Sequence, residues 1–286
     1  MIPSPFEYVR AATLEEAVAK LTAANGSAKL LAGGHSLVPL MKLRLAEPAL
    51  LIDIGHIPGL SGIREKDGRI EIGAGTVHHD VASSPLVRQR CPVVADAAAA
   101  IGDRQVSNRG TLGGSLAHAD PSADYPAAML AVDADIHIKG PKGSRTVKAS
   151  QFFRGLFTVD LAADEILVSV QFSPVRASAY AKLYQRASHF AIVGVAAAVE
   201  VSRGTIQSAR IGVTGAGPAA VCLAKVEQAL AGQPASSDAC AAATKDAGAD
   251  VPAVNADIHA SEDYRRAMIA VFARRALEGA IARNQV

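Results

Sequence analysis

Tryptophan is missing from these 286 residues, and aromatic residues together make up only 4%. Cysteine is scarce as well: Cys91, Cys222 and Cys240 stand far apart, odd in number, with no C-x-x-C spacing. That pattern encodes no disulfide framework and neither iron–sulfur nor zinc ligation. Net charge is also slight, +2 from 29 basic and 27 acidic residues, too little to argue for nucleic acid. No apolar run is long enough for a membrane span: the uncharged stretch around Phe190–Val199 is half of the ~20 residues required. The start, MIPSPFEYVR, lacks a basic leader before an apolar core, so no secretory signal is expected and the chain reads as cytoplasmic. Chelating histidine spacings are wanting too. His78 and His79 are adjacent, so on a strand they would face opposite ways, and no H-E-x-x-H occurs.

What is present is an ordinary α/β composition, half hydrophobic and rich in alanine and valine. Thr13-Leu14-Glu15-Glu16 is a capping box, followed by the stripe Leu14, Ala17, Val18, Leu21 and closed by Asn25-Gly26. Ala28–Leu31 reads as a short buried strand, then a glycine turn, a short helix to about Leu43, and a strand over Leu50–Ile54. This β-α-β-turn-α-β opening suits a small parallel sheet. Asp67-Gly68 then turns a hairpin over Ile63–Ile72. Pro85–Ile101 is mainly helical, and Ala134–Ile138 and Glu165–Phe172 are further strands, so a mixed or antiparallel second lobe follows. Ser173–Ser178, with its proline and small polar residues, marks a boundary. Beyond it, Phe190–Val201 and Thr205–Val213 are strands around an Arg203-Gly204 turn, and Val221–Ala231 is a helix stopped by Gly232. The last helix starts at Ser261, with an apolar pair every fourth residue from Met268/Ile269 to Ala280/Ile281.

Two stretches carry chemistry. Gly34-His35-Ser36-Leu37-Val38 follows an apolar strand as a hydrolase nucleophile elbow would, but valine stands where G-x-S-x-G needs its last glycine. A Rossmann site also fails: Asp53 sits where a ribose-binding acid belongs, yet the turn is not G-x-G-x-x-G, and neither is the stretch from Gly73. The second stretch, Thr111-Leu112-Gly113-Gly114-Ser115, changes the balance. Both turns put two glycines beside a small hydroxyl residue. Glycine lets backbone come close to an anion, and successive N–H groups can then point at it. Two such turns predict a grip on the two phosphates of a dinucleotide.

Ala32–Ser36 and Asn108–Ser115, followed by Ala119-Asp120-Pro121-Ser122-Ala123-Asp124-Tyr125-Pro126, resemble the FAD-binding medium subunits of molybdenum hydroxylases. So does the closing run Glu262–Arg266 with Arg274–Leu277. The resemblance covers essentially the whole chain and implies an α+β fold. A two-lobed FAD-binding domain of the vanillyl-alcohol-oxidase (PCMH) type would span 1–175, with lobe one about 1–55 and lobe two about 56–175. A C-terminal α+β domain of the carbon monoxide dehydrogenase flavoprotein type would span 176–286. It further implies that Ala32, Gly33, Gly34, His35, Ser36, Leu37, Thr111, Leu112, Gly113, Gly114 and Ser115 contact the FAD diphosphate. By the same resemblance Ile101 packs on the cofactor, and Asp124 binds its adenosine side. Leu161, Tyr184 and Gln185 lie near the flavin ring, although many relatives carry lysine where this chain has Gln185. No catalytic side chain is implied. The implied partners are a large molybdopterin subunit, which holds the molybdenum cofactor, and a small [2Fe–2S] subunit, assembled as a dimer of heterotrimers. A stand-alone FAD oxidase of the same domain family is the alternative reading.

Overall fold

The computed structural model describes residues 2–284. It opens with β1 (Glu7–Arg10), α1 (Leu14–Ala23), β2 (Ala28–Leu31), α2 (Leu37–Lys42) and β3 (Leu50–Asp53). The strands form a three-stranded parallel sheet with β3 in the middle, as the repeating strand–helix rhythm predicts. Thr13 caps α1 by accepting from the Glu16 N–H, while the Glu16 carboxylate accepts from the Ala12 N–H.

The next segment holds β4 (Ile63–Lys66), β5 (Arg69–Gly73), α3 (His78–Ser83), α4 (Pro85–Arg90), α5 (Pro92–Ala99), α6 (Arg104–Ser107), α7 (Leu112–His118) and α8 (Tyr125–Ala131). It continues through β6 (Asp135–Gly140), β7 (Gly143–Lys148), α9 (Ala149–Phe152), β8 (Phe153–Gly155), β9 (Thr158–Val159) and β10 (Ile166–Phe172). Five of these strands form an antiparallel sheet in the order β4-β5-β10-β6-β7. Asp67 and Gly68 both take positive φ, 53° and 73°, which gives the hairpin the twist its strands need. The helical stretch from Pro85 is two helices, because Pro92 begins a new one straight after Cys91.

The last segment is built from β11 (Ser178–Tyr184), β12 (Ala191–Ser202), β13 (Thr205–Thr214), β14 (Val221–Cys222), α10 (Ala224–Leu230), α11 (Ser237–Thr244) and α12 (Glu262–Asn284). Its four strands make an antiparallel sheet in sequence order. The expected helix over Val221–Ala231 is corrected here. Val221 and Cys222 pair with Val213 and Gly212, so the ladder takes them first and the helix begins only at Ala224. α12 buries Ile269, Phe272, Ala273, Ala276, Leu277, Ala280 and Ile281 against this sheet, the face that the fourfold spacing predicts.

This is a two-domain α+β architecture with two hydrophobic cores, one beneath the first two sheets and one between the last sheet and α12. The domains are closely joined. A Cβ on Gly212 of β13 would lie 2.2 Å from the Ala127 carbonyl oxygen of α8. Arg283 of α12 donates to Asp96 of α5 at 2.6 Å and to the Ser178 carbonyl at 2.7 Å. No described helix is long and apolar enough to cross a membrane.

Candidate cofactor site between two glycine turns

The first turn leaves β2 at Leu31 and enters α2 at Leu37, with Gly34 at φ +74°, a conformation glycine tolerates and most residues avoid. Among the described residues the N–H groups of Gly34, His35 and Ser36 have no protein acceptor. Three successive free donors on one exposed turn are the kind of backbone array that can take an anion. The His35 ring bends back to the Gly33 carbonyl, Nδ1 to O 3.0 Å, so His35 presents its backbone. Ser36 is exposed, and its hydroxyl meets no imidazole or carboxylate among the described residues. A nucleophile needs a base within hydrogen-bond reach, and Ser36 has none.

The second turn differs from the expected mirror image. Thr111 Oγ1 accepts from the Gly114 N–H at 3.1 Å, and the Thr111 carbonyl accepts from the Ser115 N–H at 3.0 Å. Leu112 and Gly113 donate to the Thr76 and Ala74 carbonyls at 2.9 and 2.8 Å. These amides are therefore spent on packing α7 against the end of β5, and the prediction of two matching rows of free N–H groups is corrected. Leu112 is fully buried, while Ser115 keeps a hydroxyl with no protein partner among the described residues.

The two turns touch. A Cβ on Gly33 would lie 2.1 Å from the Arg109 carbonyl oxygen and 2.9 Å from Gly110 Cα. A Cβ on Gly113 would lie 2.4 Å from that of Ala74. Gly33 is there because backbone meets backbone, and Gly113 because it packs directly on Ala74. Ala32 and Leu37 flank the first turn, half-buried.

Asp124 sits elsewhere than at an open mouth. It is 3% exposed, and its carboxylate accepts from Tyr180 Oη at 2.6 Å and Lys182 Nζ at 2.7 Å. Burial raises its pKa above the usual carboxylate value, against the pull of Lys182 and Tyr180. Lys182 also donates to the Ala100 carbonyl at 2.9 Å, so this β11 ammonium ties Asp124 to the turn that carries Ile101. Sequence reading missed Lys182 and Tyr180; their spacing of two along one strand, which puts them on one face, was the available signal.

The remaining predicted positions are not hydrogen-bonded to the glycine turns. Leu161 packs, half-buried, on the first core. Tyr184 is exposed against the ring of His189. Gln185 accepts the Ser188 N–H and hydroxyl with its own side-chain oxygen, which closes the 185–190 turn on itself. Among the described residues no cluster of three His, Cys, Asp or Glu could hold a metal. The donor set that remains consists of free amide N–H groups, hydroxyls and glycines where no side chain fits. It suits an anionic diphosphate group and offers no acid, base or nucleophile.

Comparison with known proteins agrees over nearly the full length. Residues 4–174 match the family described as the FAD binding domain in molybdopterin dehydrogenase, and residues 178–280 match the CO dehydrogenase flavoprotein C-terminal domain. The chain is 42% identical to the carbon monoxide dehydrogenase medium chain of Hydrogenophaga pseudoflava, over 99% of each. It is 37% identical to the 6-hydroxypseudooxynicotine dehydrogenase complex subunit alpha of Paenarthrobacter nicotinovorans, over 99% of this chain and 97% of that one. Among solved structures it superposes on the carbon monoxide dehydrogenase of H. pseudoflava with a TM-score of 0.94, at 42% identity and 99% coverage of both chains. Quinoline 2-oxidoreductase of Pseudomonas putida 86 gives a TM-score of 0.91 at 30% identity, again over 99% of both.

Proposed function

Because this chain belongs to the FAD-binding medium subunits of the molybdenum hydroxylases, we propose that it serves as the electron-transfer flavoprotein of a heteromeric dehydrogenase. It takes electrons from [2Fe–2S] clusters in a small partner subunit and passes them to an external acceptor, within a dimer of heterotrimers whose large subunit holds the molybdenum cofactor. The observation that carries this reading is the row of free N–H groups at Gly34, His35 and Ser36, wedged against a second glycine turn.

Bound FAD supplies the redox chemistry; the protein supplies binding, orientation and exclusion of competing groups. In this reading the Gly34–Ser36 amides and the Ser36 and Ser115 hydroxyls hold the diphosphate, Ile101 packs on the cofactor, and Asp124 with Lys182 braces the turn behind Ile101. Leu161, Tyr184 and Gln185 border the ring. The three cysteines stand far apart in the sequence, and burial pushes the thiols of Cys91 and Cys222 up to about 12 and about 11. The relatives are named for carbon monoxide, 6-hydroxypseudooxynicotine and glyceraldehyde dehydrogenases, and one subunit fold serves all three names. We take the substrate to be chosen outside this chain.

Two measurements test the proposal. Native purification through this chain is expected to bring down two partner subunits with an iron–sulfur absorption spectrum, and the flavin is expected to be reduced only when they are present. Substrate turnover by the isolated chain would overturn it. Ser36→Ala is expected to weaken FAD binding by about fivefold, the loss of one hydrogen bond worth ~1 kcal/mol, and to leave turnover at saturating FAD unchanged. Complete loss of activity with FAD still bound would return Ser36 to the role of nucleophile.

A further inference from the structure

His78 belongs to neither glycine turn, yet it is built against one of them. It begins α3, is 4% exposed, and its backbone N–H donates to the Gly110 carbonyl at 3.0 Å. A Cβ on Gly110 would lie 2.6 Å from its Nε2, so only glycine at 110 leaves the ring its place. On the other side of the ring, Nδ1 is 3.3 Å from the hydroxyl of Tyr125.

That second contact decides the tautomer. Tyr125 is fully buried, and burial holds its phenol well above its ordinary pKa, so the O–H keeps its proton. A buried hydroxyl proton needs an acceptor, and among the described residues the Tyr125 hydroxyl has only His78 as a partner. Nδ1 therefore accepts, and the single proton of the neutral ring sits on Nε2. Burial, with a smaller electrostatic contribution from neighbouring His35, lowers the His78 pKa to about 4, so the ring remains neutral across the physiological range. Nε2–H is then a donor on a side chain more than nine-tenths buried. It has no protein acceptor among the described residues, and it lies beside the turn whose Leu112, Gly113, Gly114 and Ser115 amides are already spent.

We propose that His78 is a ligand of the FAD diphosphate, giving from Nε2–H a donor beside the second glycine turn, where the amides of residues 112–115 are taken. The inference rests on the FAD reading above and adds a residue to it. It also accounts for Gly110, which no donor count explains: glycine there leaves room for the imidazole.

The full-length chain labelled with ¹⁵N-histidine, stripped of flavin and then titrated with FAD, tests this directly. The expected result is a His78 ring protonated at Nε2 whose Nε2–H signal moves as FAD saturates the protein. A ring protonated at Nδ1, or an Nε2 signal that stays put while FAD is bound, overturns the proposal. The variants give the independent arm. His78→Leu is expected to lose about ten- to a hundredfold in FAD affinity, and His78→Gln, which keeps an N–H at similar reach, to recover most of it. Equal affinity in all three proteins, or equal loss in both variants, would refute a donor role. Where His78→Leu does not fold, the labelled wild-type spectrum decides alone. If the wild-type chain binds no FAD at all, the FAD reading itself falls, a result separate from the others.

Discussion

Gly33→Ala is expected to give a folded but colourless protein. The added methyl would stand 2.1 Å from the Arg109 carbonyl oxygen, 2.8 Å from its carbon and 2.9 Å from Gly110 Cα. All three are backbone atoms, so no side chain can rotate away and one turn must retreat from the other. Forced overpacking of this kind costs roughly 1–3 kcal/mol or more. Here the strain falls on the surface turn that carries the free amides, and the N–H groups of Gly34, His35 and Ser36 lose their common aim. A cofactor gripped by several such donors is expected to weaken at least ~100-fold, the equivalent of about 3 kcal/mol. Flavin absorbance per protein after purification, an FAD titration and a thermal melt of the flavin-free form measure it. Normal flavin content would refute the account of the two turns as one clamp. Gly34 and Gly114, the positions the sequence pattern itself singles out, are milder sites. A methyl at Gly34 meets only the flexible ends of Val38 and Leu31 at 3.2 and 3.3 Å, although its φ of +74° adds strain. At Gly114 it meets only the capping hydroxyl of Thr111 at 2.8 Å.

Lys182→Met should lose about 3–5 kcal/mol of stability at neutral pH, because it strands a carboxylate in the interface between the two domains. Asp124 is 3% exposed and the Lys182 side chain 6%, so water cannot replace the lost ammonium. The loss carries a pH signature. Burial already raises the Asp124 pKa in the folded protein, and removing Lys182 raises it further. A raised acid pKa favours folding where the carboxyl is protonated, and that contribution is lost as pH rises through the folded-state value. The variant is therefore expected to melt at a higher temperature near about pH 5 than near about pH 8. Adding Asp124→Asn removes the stranded charge and should flatten that dependence while restoring much of the stability. A single variant with a pH-independent deficit, or a double variant no better than the single, would show that the ion pair is not what holds the interface. FAD affinity is the functional readout, since Lys182 also holds the Ala100 carbonyl next to Ile101.

Much of the scaffold is legible from local signals. The capping box at Thr13, the Asp67-Gly68 turn and the repeating apolar pairs of the last helix each act within a few residues, so their chemistry is complete in the sequence. The stretch after Ala220 was not legible, because Val221 and Cys222 are claimed by β13, and a ladder partner leaves no mark on the strand it pairs with. Within the site the same division holds. Glycine pairs beside Ser36 and Ser115 announce close approach of backbone. That Gly33 presses on Arg109, and that the Gly113 amide is already taken by Ala74, depends on residues far away in the chain.

The sequence by itself pointed to a nucleotide-type cofactor site at two glycine turns, with its cysteines scattered and no chelating histidine spacing. Residue type and short spacing suffice for that, because backbone freedom and donor chemistry are local properties. Only the tertiary structure decided which donors remain free. α7 spends its amides on the end of β5, β11 brings Lys182 across to an aspartate 58 residues earlier, and α3 sets His78 behind Gly110 with Tyr125, 47 residues on, fixing its proton. Hydrogen-bond satisfaction is a property of the packed molecule: a donor is available to a ligand only when no neighbour brought in by the fold has already used it.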